Sequence, residues 1–297
     1  MRHMRKWIAL VLCLCMFSVS CLSLTGCSSV GDGKKIIRIA HSQSETHPEH
    51  LGLLKFKEYV EENLGDKYEV QIYPNELLGS QKKAIELTQT GAIDFTLVGT
   101  PNLENFADVY EVFSMPYLFT SEEAYHAAMM DTDYMDKIYE STDEAGFRVL
   151  TWYDVGSRSF YAKKKIETPA DLKGLKMRTN GMKTIDMTFQ AMGATTTTIP
   201  YSDLYMGLKT GVADGQENPW VNVEGMKFYE VQKYFTEVNY QFHPDPFYVN
   251  AAWWNGLPEE YRDIITECAT KMGEYNDELI DQNSSAAKQT IVDSGCE

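Results

Sequence analysis

Beyond its first 27 residues the chain is nearly free of cysteine. Of six in all, Cys13, Cys15, Cys21 and Cys27 lie in the N-terminal stretch, and only Cys268 and Cys296 remain. Two cysteines make neither a disulfide framework nor a Cys-based metal site. Cys268 falls in a helical pattern and Cys296 at an end expected to fray, so no essential disulfide is expected, although an exported protein leaves that pairing open. Positive charge is scarce as well. There are 27 Lys and Arg against 43 Asp and Glu, a formal charge of −16, and without Arg2, Arg5 and Lys6 the balance is 24 against 43. Phosphate recognition needs clustered cations, which argues against nucleic acid as a partner. An acidic shell mainly keeps a protein soluble and says little about a pocket. Also missing are a G-x-S-x-G elbow, a convincing Ser-His-Asp set and a Gly-rich phosphate loop. No enzyme signature remains, and no cofactor is expected. His41, His47 and His50 are close in sequence, but Pro48 intervenes and no carboxylate or cysteine completes a shell. His47 and His50 are expected to face solvent, and no metal is expected.

Long apolar runs are absent except at the start. Arg2, Arg5 and Lys6 precede an uncharged apolar stretch from Trp7 to about Cys21, the pattern of an export leader. It ends in Leu24-Thr25-Gly26-Cys27, which resembles a bacterial lipobox. In that motif Cys27 would receive diacylglycerol and become the mature N-terminus. An ordinary cleaved signal and an uncleaved anchor are the alternatives. Residues 28–35 read as a flexible tether. No later run approaches a membrane span.

The rest of the chain reads twice as β-α-β-α-β. In the first half, Ile36 to Ala40 is a short apolar strand ending at His41-Ser42-Gln43. A helix from near Pro48 carries Leu53, Phe56 and Val60 on one face, and Gly65 closes it. Tyr68, Val70 and Ile72 alternate as a strand, a helix begins beyond Ser80, and Ile93 to Val98 is a third strand. A helix over Glu122 to Glu140 and a crossover strand over Phe147 to Trp152 follow. In the second half a strand through Leu175 and Met177 ends at Arg178, and a helix carries Ile185, Phe189 and Met192. A Thr-rich strand closes at Pro200, and a third strand runs into Gln216-Glu217-Asn218-Pro219. Asn218 is expected to cap the helix that Pro219 opens. The junctions Thr90-Gly91-Ala92-Ile93-Asp94 and Thr210-Gly211-Val212-Ala213-Asp214 match, each with a glycine suited to a left-handed helix end. The segment from Tyr240 to Trp254 is expected to cross back as a strand before a last long helix. Open sheets of this kind take ligands at the carboxyl ends of their strands, where Arg178 and Asn218 both fall.

The runs DLKGLKMR (171–178), DGQENP (214–219) and KFYEVQKY (227–234), in that order, resemble the extracytoplasmic solute-binding subunit of tripartite ATP-independent periplasmic (TRAP) transporters, the DctP-like family. The resemblance runs from about Lys35 to the chain end. It implies an α/β, two-lobed periplasmic-binding-protein-like fold, each lobe a mostly parallel sheet flanked by helices, hinged over a cleft. Lobe 1 is expected over 36–155 with about 244–283 returning to it, and lobe 2 over 156–243 with about 284–297. Members of the family generally continue for tens of residues more, so the chain is expected to be either a fragment or a compact variant. The implied function is capture of an organic acid, a dicarboxylate or sugar acid. Delivery would be to small and large membrane subunits, by a monomeric lipoprotein on the outer face of the cell membrane or in the periplasm. A sensory lipoprotein and an enzyme acting on a carboxylated metabolite are the other classes that the same fold would serve.

Seven residues are candidates for the pocket. The guanidinium of Arg178 matches a carboxylate bidentately, and the arginine of KMR has that role in the family. The plain alternative is a structural ion pair. Arg158 corresponds by position to a second family arginine and either holds a second acid group or orients the cleft. Asn218 stands where the family contacts ligand, and Tyr201 where it often places an aromatic ring. His41 stands at a position of polar contact, with a structural histidine as the alternative. Gly99 and Thr100 end the third strand, where backbone or hydroxyl would line the pocket.

Overall fold

The structure is a computed structural model that describes residues 33–242 and 244–297; the leader, the lipobox with Cys27 and most of the tether lie outside these residues. The chain starts with β1 (Lys35–His41), α1 (Pro48–Leu64), β2 (Tyr68–Tyr73), α2 (Gln81–Gln89) and β3 (Phe95–Leu97). After two 3-10 segments come α3 (Glu122–Met129), α4 (Thr132–Glu140) and β4 (Phe147–Tyr153). The next part holds β5 (Arg158–Ala162), β6 (Lys176–Thr179), α5 (Lys183–Ala191), β7 (Thr195–Thr198), α6 (Leu204–Lys209), β8 (Gly215–Asn218), α7 (Trp220–Gly225) and β9 (Tyr234–Gln241). The chain then returns through β10 (Asp245–Asn250) and α8 (Ala251–Asn255) to α9 (Glu259–Asp293).

Two five-stranded sheets result, ordered β2-β1-β3-β10-β4 and β7-β6-β8-β5-β9. The α/β class expected from the sequence is the one observed, and the parallel trios β2-β1-β3 and β7-β6-β8 are the two β-α-β-α-β units. Each sheet is mixed: four strands run the same way, as the mostly parallel expectation has it, and one, β10 or β5, runs against them. Antiparallel pairs join β10 and β4 to the first sheet, and β5 and β9 to the second. The reason is topological: strands that cross between sheets enter the far sheet against its direction, without a helical crossover.

Local chemistry explains the element ends. Pro48 opens α1, and the His47 ring, rather than a Ser or Asp, caps it by accepting from the Glu49 N–H. Leu53, Phe56, Val60 and Leu64 bury one stripe against Ile37, Ile39, Phe95 and Phe247. Gly91 and Gly211 both take positive φ, +71° and +76°, as the matched junctions predict. The expected helix over 122–140 breaks in two at Met130 and Asp131. Of the expected strand from Tyr240 to Trp254, Tyr240 and Gln241 close β9 and Asp245–Asn250 form β10, which stops there because the Asn250 side chain accepts from the Trp253 N–H and starts a helix. Asn218 does not cap α7. It is the last residue of β8, and Pro219 takes the N-cap position.

Helix α9 has 35 residues, about 52 Å at 1.5 Å per residue, enough to run along both sheets. Ile265, Cys268, Ala269 and Met272 pack into the first core, while Ile280, Ala287 and Ile291 pack against the second half. At the crossing between the sheets, the Asn276 amide donates to the Asp154 carbonyl at 3.1 Å, and the Asp277 carboxylate accepts from the Asp154 N–H at 3.1 Å. The chain end is not frayed. Glu297 exchanges backbone hydrogen bonds with Lys233 and Phe235, at 2.9 and 2.8 Å. Cys268 and Cys296 are both free thiols. Among the described residues, no helix is long and apolar enough to cross a membrane.

Candidate functional site

The carboxyl ends of the parallel strands in both sheets meet around one polar cavity of about 30 Å³. That is room for about two waters. Arg178, Arg158, Asn218, Tyr201 and Gly99 all line it.

Arg178 ends up 2% exposed in β6. Its Nε donates to the Ile199 carbonyl at 2.9 Å, and its Nη2 donates to the Asn180 side-chain oxygen. The Tyr201 ring centroid lies 5.8 Å from the guanidinium carbon, within cation–π reach. Burial pulls its pKa down to about 10, against the opposing pull of Glu217, so the group stays charged at neutral pH. Both hydrogen-bond acceptors are neutral, and among the described residues no carboxylate forms an ion pair with Arg178. A buried cation without a paired anion is costly.

Arg158 differs. Its Nε meets one carboxylate oxygen of Glu217, and its Nη2 meets the other at 2.9 Å, a bidentate fork. Nη2 also donates to the Glu217 carbonyl and to Asn218 Oδ1, each at 3.1 Å. Burial works against its charge, but the Glu217 carboxylate outweighs burial and raises the pKa above the ordinary arginine value. The Asn218 amide nitrogen donates to Gln216 Oε1 at 2.5 Å, so both ends of that side chain are oriented within the site.

Two candidates are not among the residues lining the cavity. His41 is 2% exposed and points into a histidine pair, its Nε2 3.0 Å from His50 Nδ1. Because His41 Nδ1 accepts from the Gln43 N–H, Nε2 is the nitrogen that donates. Thr100 is fully buried, and its hydroxyl donates to the Pro244 carbonyl. Sequence reasoning missed Gln81, Asn102, Asn180, Asn222 and Asp245 on the cavity wall, and Glu217 behind it. Asn102 donates to Gln81 Oε1 at 2.6 Å, and Gln81 donates to Ser42 Oγ at 3.2 Å, a neutral amide network. Only the exposed-looking end of the first strand, His41-Ser42-Gln43, signalled that wall.

The expectation that His47 and His50 face solvent is wrong: they are 3% and 8% exposed. His47 Nδ1 accepts the Glu49 N–H, which leaves Nε2 to donate to Asn222 Oδ1 at 3.1 Å, from the first half of the chain to the second. Further hydrogen bonds cross the same divide. Asn180 donates to Gln81, Ser202 binds Glu76 through both its N–H and its hydroxyl, and the Thr184 N–H meets Glu104. A separate group, Glu122, His126 and Asp154, brings three metal-ligating atoms within 4.8 Å, with His126 Nε2 already 2.6 Å from Asp154.

Burial lowers the His47 pKa to about 4 from 6.5, more than its Asn222 hydrogen bond raises it. The unfolded chain therefore binds a proton that the folded chain refuses between these values. Stability from the neutral ring is complete above about pH 6.5 and is lost as pH falls toward 4. For His47→Gln, the stability gap to the parent protein is expected to shrink by about 1.4 kcal/mol per pH unit across that window. Urea denaturation at pH 7, 6 and 5 measures it, and the comparison largely cancels the opposing effect of the raised Glu49 carboxyl. A gap that does not change with pH would show that the ring protonates freely in the folded protein.

The family model described as "Bacterial extracellular solute-binding protein, family 7" (DctP) matches residues 39–297. A TRAP periplasmic solute-binding protein from Anaerococcus prevotii, solved with α/β-D-glucuronate bound, is 43% identical. It superposes with a TM-score of 0.87 over 89% of this chain and 86% of that one. The uncharacterized protein YiiZ of Salmonella typhimurium is 33% identical over 84% of this chain and 76% of its own length. The C4-dicarboxylate-binding periplasmic protein DctP of Rhodobacter capsulatus is 31% identical over 88% of this chain and 78% of its own length.

Proposed function

Because the chain belongs to the DctP family of bacterial extracellular solute-binding proteins, we propose that it captures an organic acid, a dicarboxylate or sugar acid, on Arg178 and hands it to the membrane subunits of a TRAP transporter. The observation that carries this reading is a buried, charged guanidinium whose hydrogen bonds go only to neutral acceptors.

The mechanism is physical and needs no bond to break. Ile199 and Asn180 fix the guanidinium on two of its edges, and Tyr201 lies within cation–π distance of it. A solute carboxylate would supply the missing anion. Water excluded from the site lowers the local dielectric and strengthens the pair. Desolvating both charges is offset only if other donors satisfy the solute, which is the role of the amides of Gln81, Asn102 and Asn218. A 30 Å³ cavity is too small for a six-carbon acid, so entry requires the two halves to separate. The cross-divide contacts of His47, Asn180 and Ser202 would then form the latch of the closed state. In this reading the lobes are 36–155 with about 244–283, and 156–243 with 284–297, and α9 ties them together. The protein works as a monomer outside the cytoplasm, held to the membrane by lipid on Cys27.

Thermal-shift measurements across a panel of organic acids are expected to show stabilisation by at least one, by several degrees at saturating ligand. No shift with any acid would refute the reading. Cys27→Ala is expected to leave the precursor unprocessed or release the protein from membranes; unchanged processing and retention would refute the lipid anchor.

A further inference from the structure

Away from the cavity, Glu122, His126 and Asp154 bring together an imidazole and two carboxyls, the donor types that hold metals. Glu122 and His126 stand four residues apart on α3, so both project from one face of the helix. Asp154 follows β4, on the segment that carries the chain from the first sheet to the second. One ligating atom from each of the three lies within 4.8 Å of the other two. The backbone around Asp154 is tied on both sides. Its N–H donates to Asp277, its carbonyl accepts from the Asn276 amide, and its Oδ1 accepts from the Gly156 N–H at 2.7 Å. The carboxylate, 5% exposed, is thereby held with Oδ2 against His126 Nε2. The His126 ring packs beside Tyr125 and Trp152, with centroids 5.2 and 5.9 Å away. Partners that orient a donor without binding the ion themselves are half of a metal site. Next to Asp154, Asn276 is fully buried, and its Oδ1 has no hydrogen-bond partner among the described residues. Buried acceptors left open are rare, and water or an ion is what usually answers them. Charge points the same way. The charges of Asp154 and Asp281 reach Glu122, and that of Asp154 reaches Asp277, with His126 the imidazole among them.

We propose that Glu122, His126 and Asp154 form a binding site for a divalent transition metal of the zinc class, which would clamp α3 to the segment joining the two sheets. This stands apart from the organic-acid reading. His41, His47 and His50, the histidines close in sequence, take no part in it. Metal–ligand bonds of about 2.0–2.2 Å set tetrahedral ligands about 3.4 Å apart. Glu122 is exposed and free to turn inward, and the His126–Asp154 contact of 2.6 Å has only to lengthen slightly. Nε2 ligates without its proton, which moves to Nδ1 or leaves to solvent. Three protein ligands leave a position for water. A cavity of about 560 Å³, lined by Glu122, Ser157 and Asp281 among others, is the way in. The imidazole sets this site apart from calcium and magnesium sites, which are built from oxygens.

Calorimetry on the purified protein, first stripped of metal with a chelator, tests this. Zn²⁺ is expected to bind one per chain with a micromolar or lower Kd, and Ca²⁺ at least about a hundredfold more weakly. His126→Gln is expected to weaken Zn²⁺ by about a hundredfold or more, and Glu122→Gln by about tenfold. Co²⁺ in place of Zn²⁺ is expected to give visible absorption bands that His126→Gln removes. Glu122 is exposed and the His126 side chain is 41% exposed, so both variants are expected to fold. No Zn²⁺ bound at micromolar concentration, Zn²⁺ binding unchanged in folded His126→Gln, or Ca²⁺ bound as tightly as Zn²⁺ overturns the assignment. If neither variant folds, the preference for Zn²⁺ over Ca²⁺ in the parent protein decides.

Discussion

Arg178→Ala is expected to fold and to bind its acid at least about a hundredfold more weakly than the parent protein. Removing one side of a buried charged pair costs about 3–5 kcal/mol, and each 1.4 kcal/mol is a tenfold change in affinity. The loss should fall on binding rather than on folding. Arg178 pairs with no carboxylate among the described residues, so its removal leaves no buried counter-charge stranded there. The Ile199 carbonyl and the Asn180 amide each lose one donor, a smaller penalty. Arg178→Lys keeps the charge but loses the planar fork, and is expected to recover only part of the affinity. Calorimetry with the best-binding acid, beside circular dichroism, measures both quantities. Near-native affinity in a folded Arg178→Ala protein would remove the proposed pocket.

Glu217→Ala is expected to do the reverse, costing about 3–5 kcal/mol of folding stability. The side chains of Arg158 and Glu217 are 11% and 1% exposed, so the arginine left behind has little access to water. Arg158→Met combined with Glu217→Leu is expected to cost much less than either truncation alone, since both charges leave together. Urea denaturation of the three variants gives the comparison. A loss below about 1 kcal/mol in Glu217→Ala would mean that Arg158 reaches solvent or takes Asn218 as a sufficient partner. This pair changes the expectation for Arg158. With its fork already filled, its truncation should register in stability before it registers in affinity.

Much of this fold could be read in the chain. Period-2 and period-3.6 patterning placed β1, α1, β2, α5 and β6, because each buries one face or both in a core that local sequence must match. Gly91 and Gly211 announced their positive φ through the same physics at both junctions. Elements shorter than the expected segments were not legible. Nothing in Tyr240 to Trp254 says that Asn250 will turn its side chain back to the Trp253 N–H and start a helix, since asparagine suits loops and caps alike. His47 and His50 look like solvent-facing residues near a helix start. They are buried because α7 and β1 close over them, with Asn222 and His41 as partners.

The sequence by itself determined where charge could stand: an arginine ending a buried strand, and a second after the crossover, both at sheet edges. It determined the two repeated α/β units and the family to which they belong. Which arginine carries an ion pair was decided only by the tertiary structure. Antiparallel pairing sets Phe160 opposite Glu217, and Arg158, two residues along on the same side, falls within reach of that carboxylate. Arg178 lies in the parallel part of the sheet, opposite Thr197, where its neighbours offer only neutral oxygens. Periodicity records whether a side chain is buried. Its partner depends on which strands lie side by side and in what register, and here those strands are about 60 residues apart in sequence.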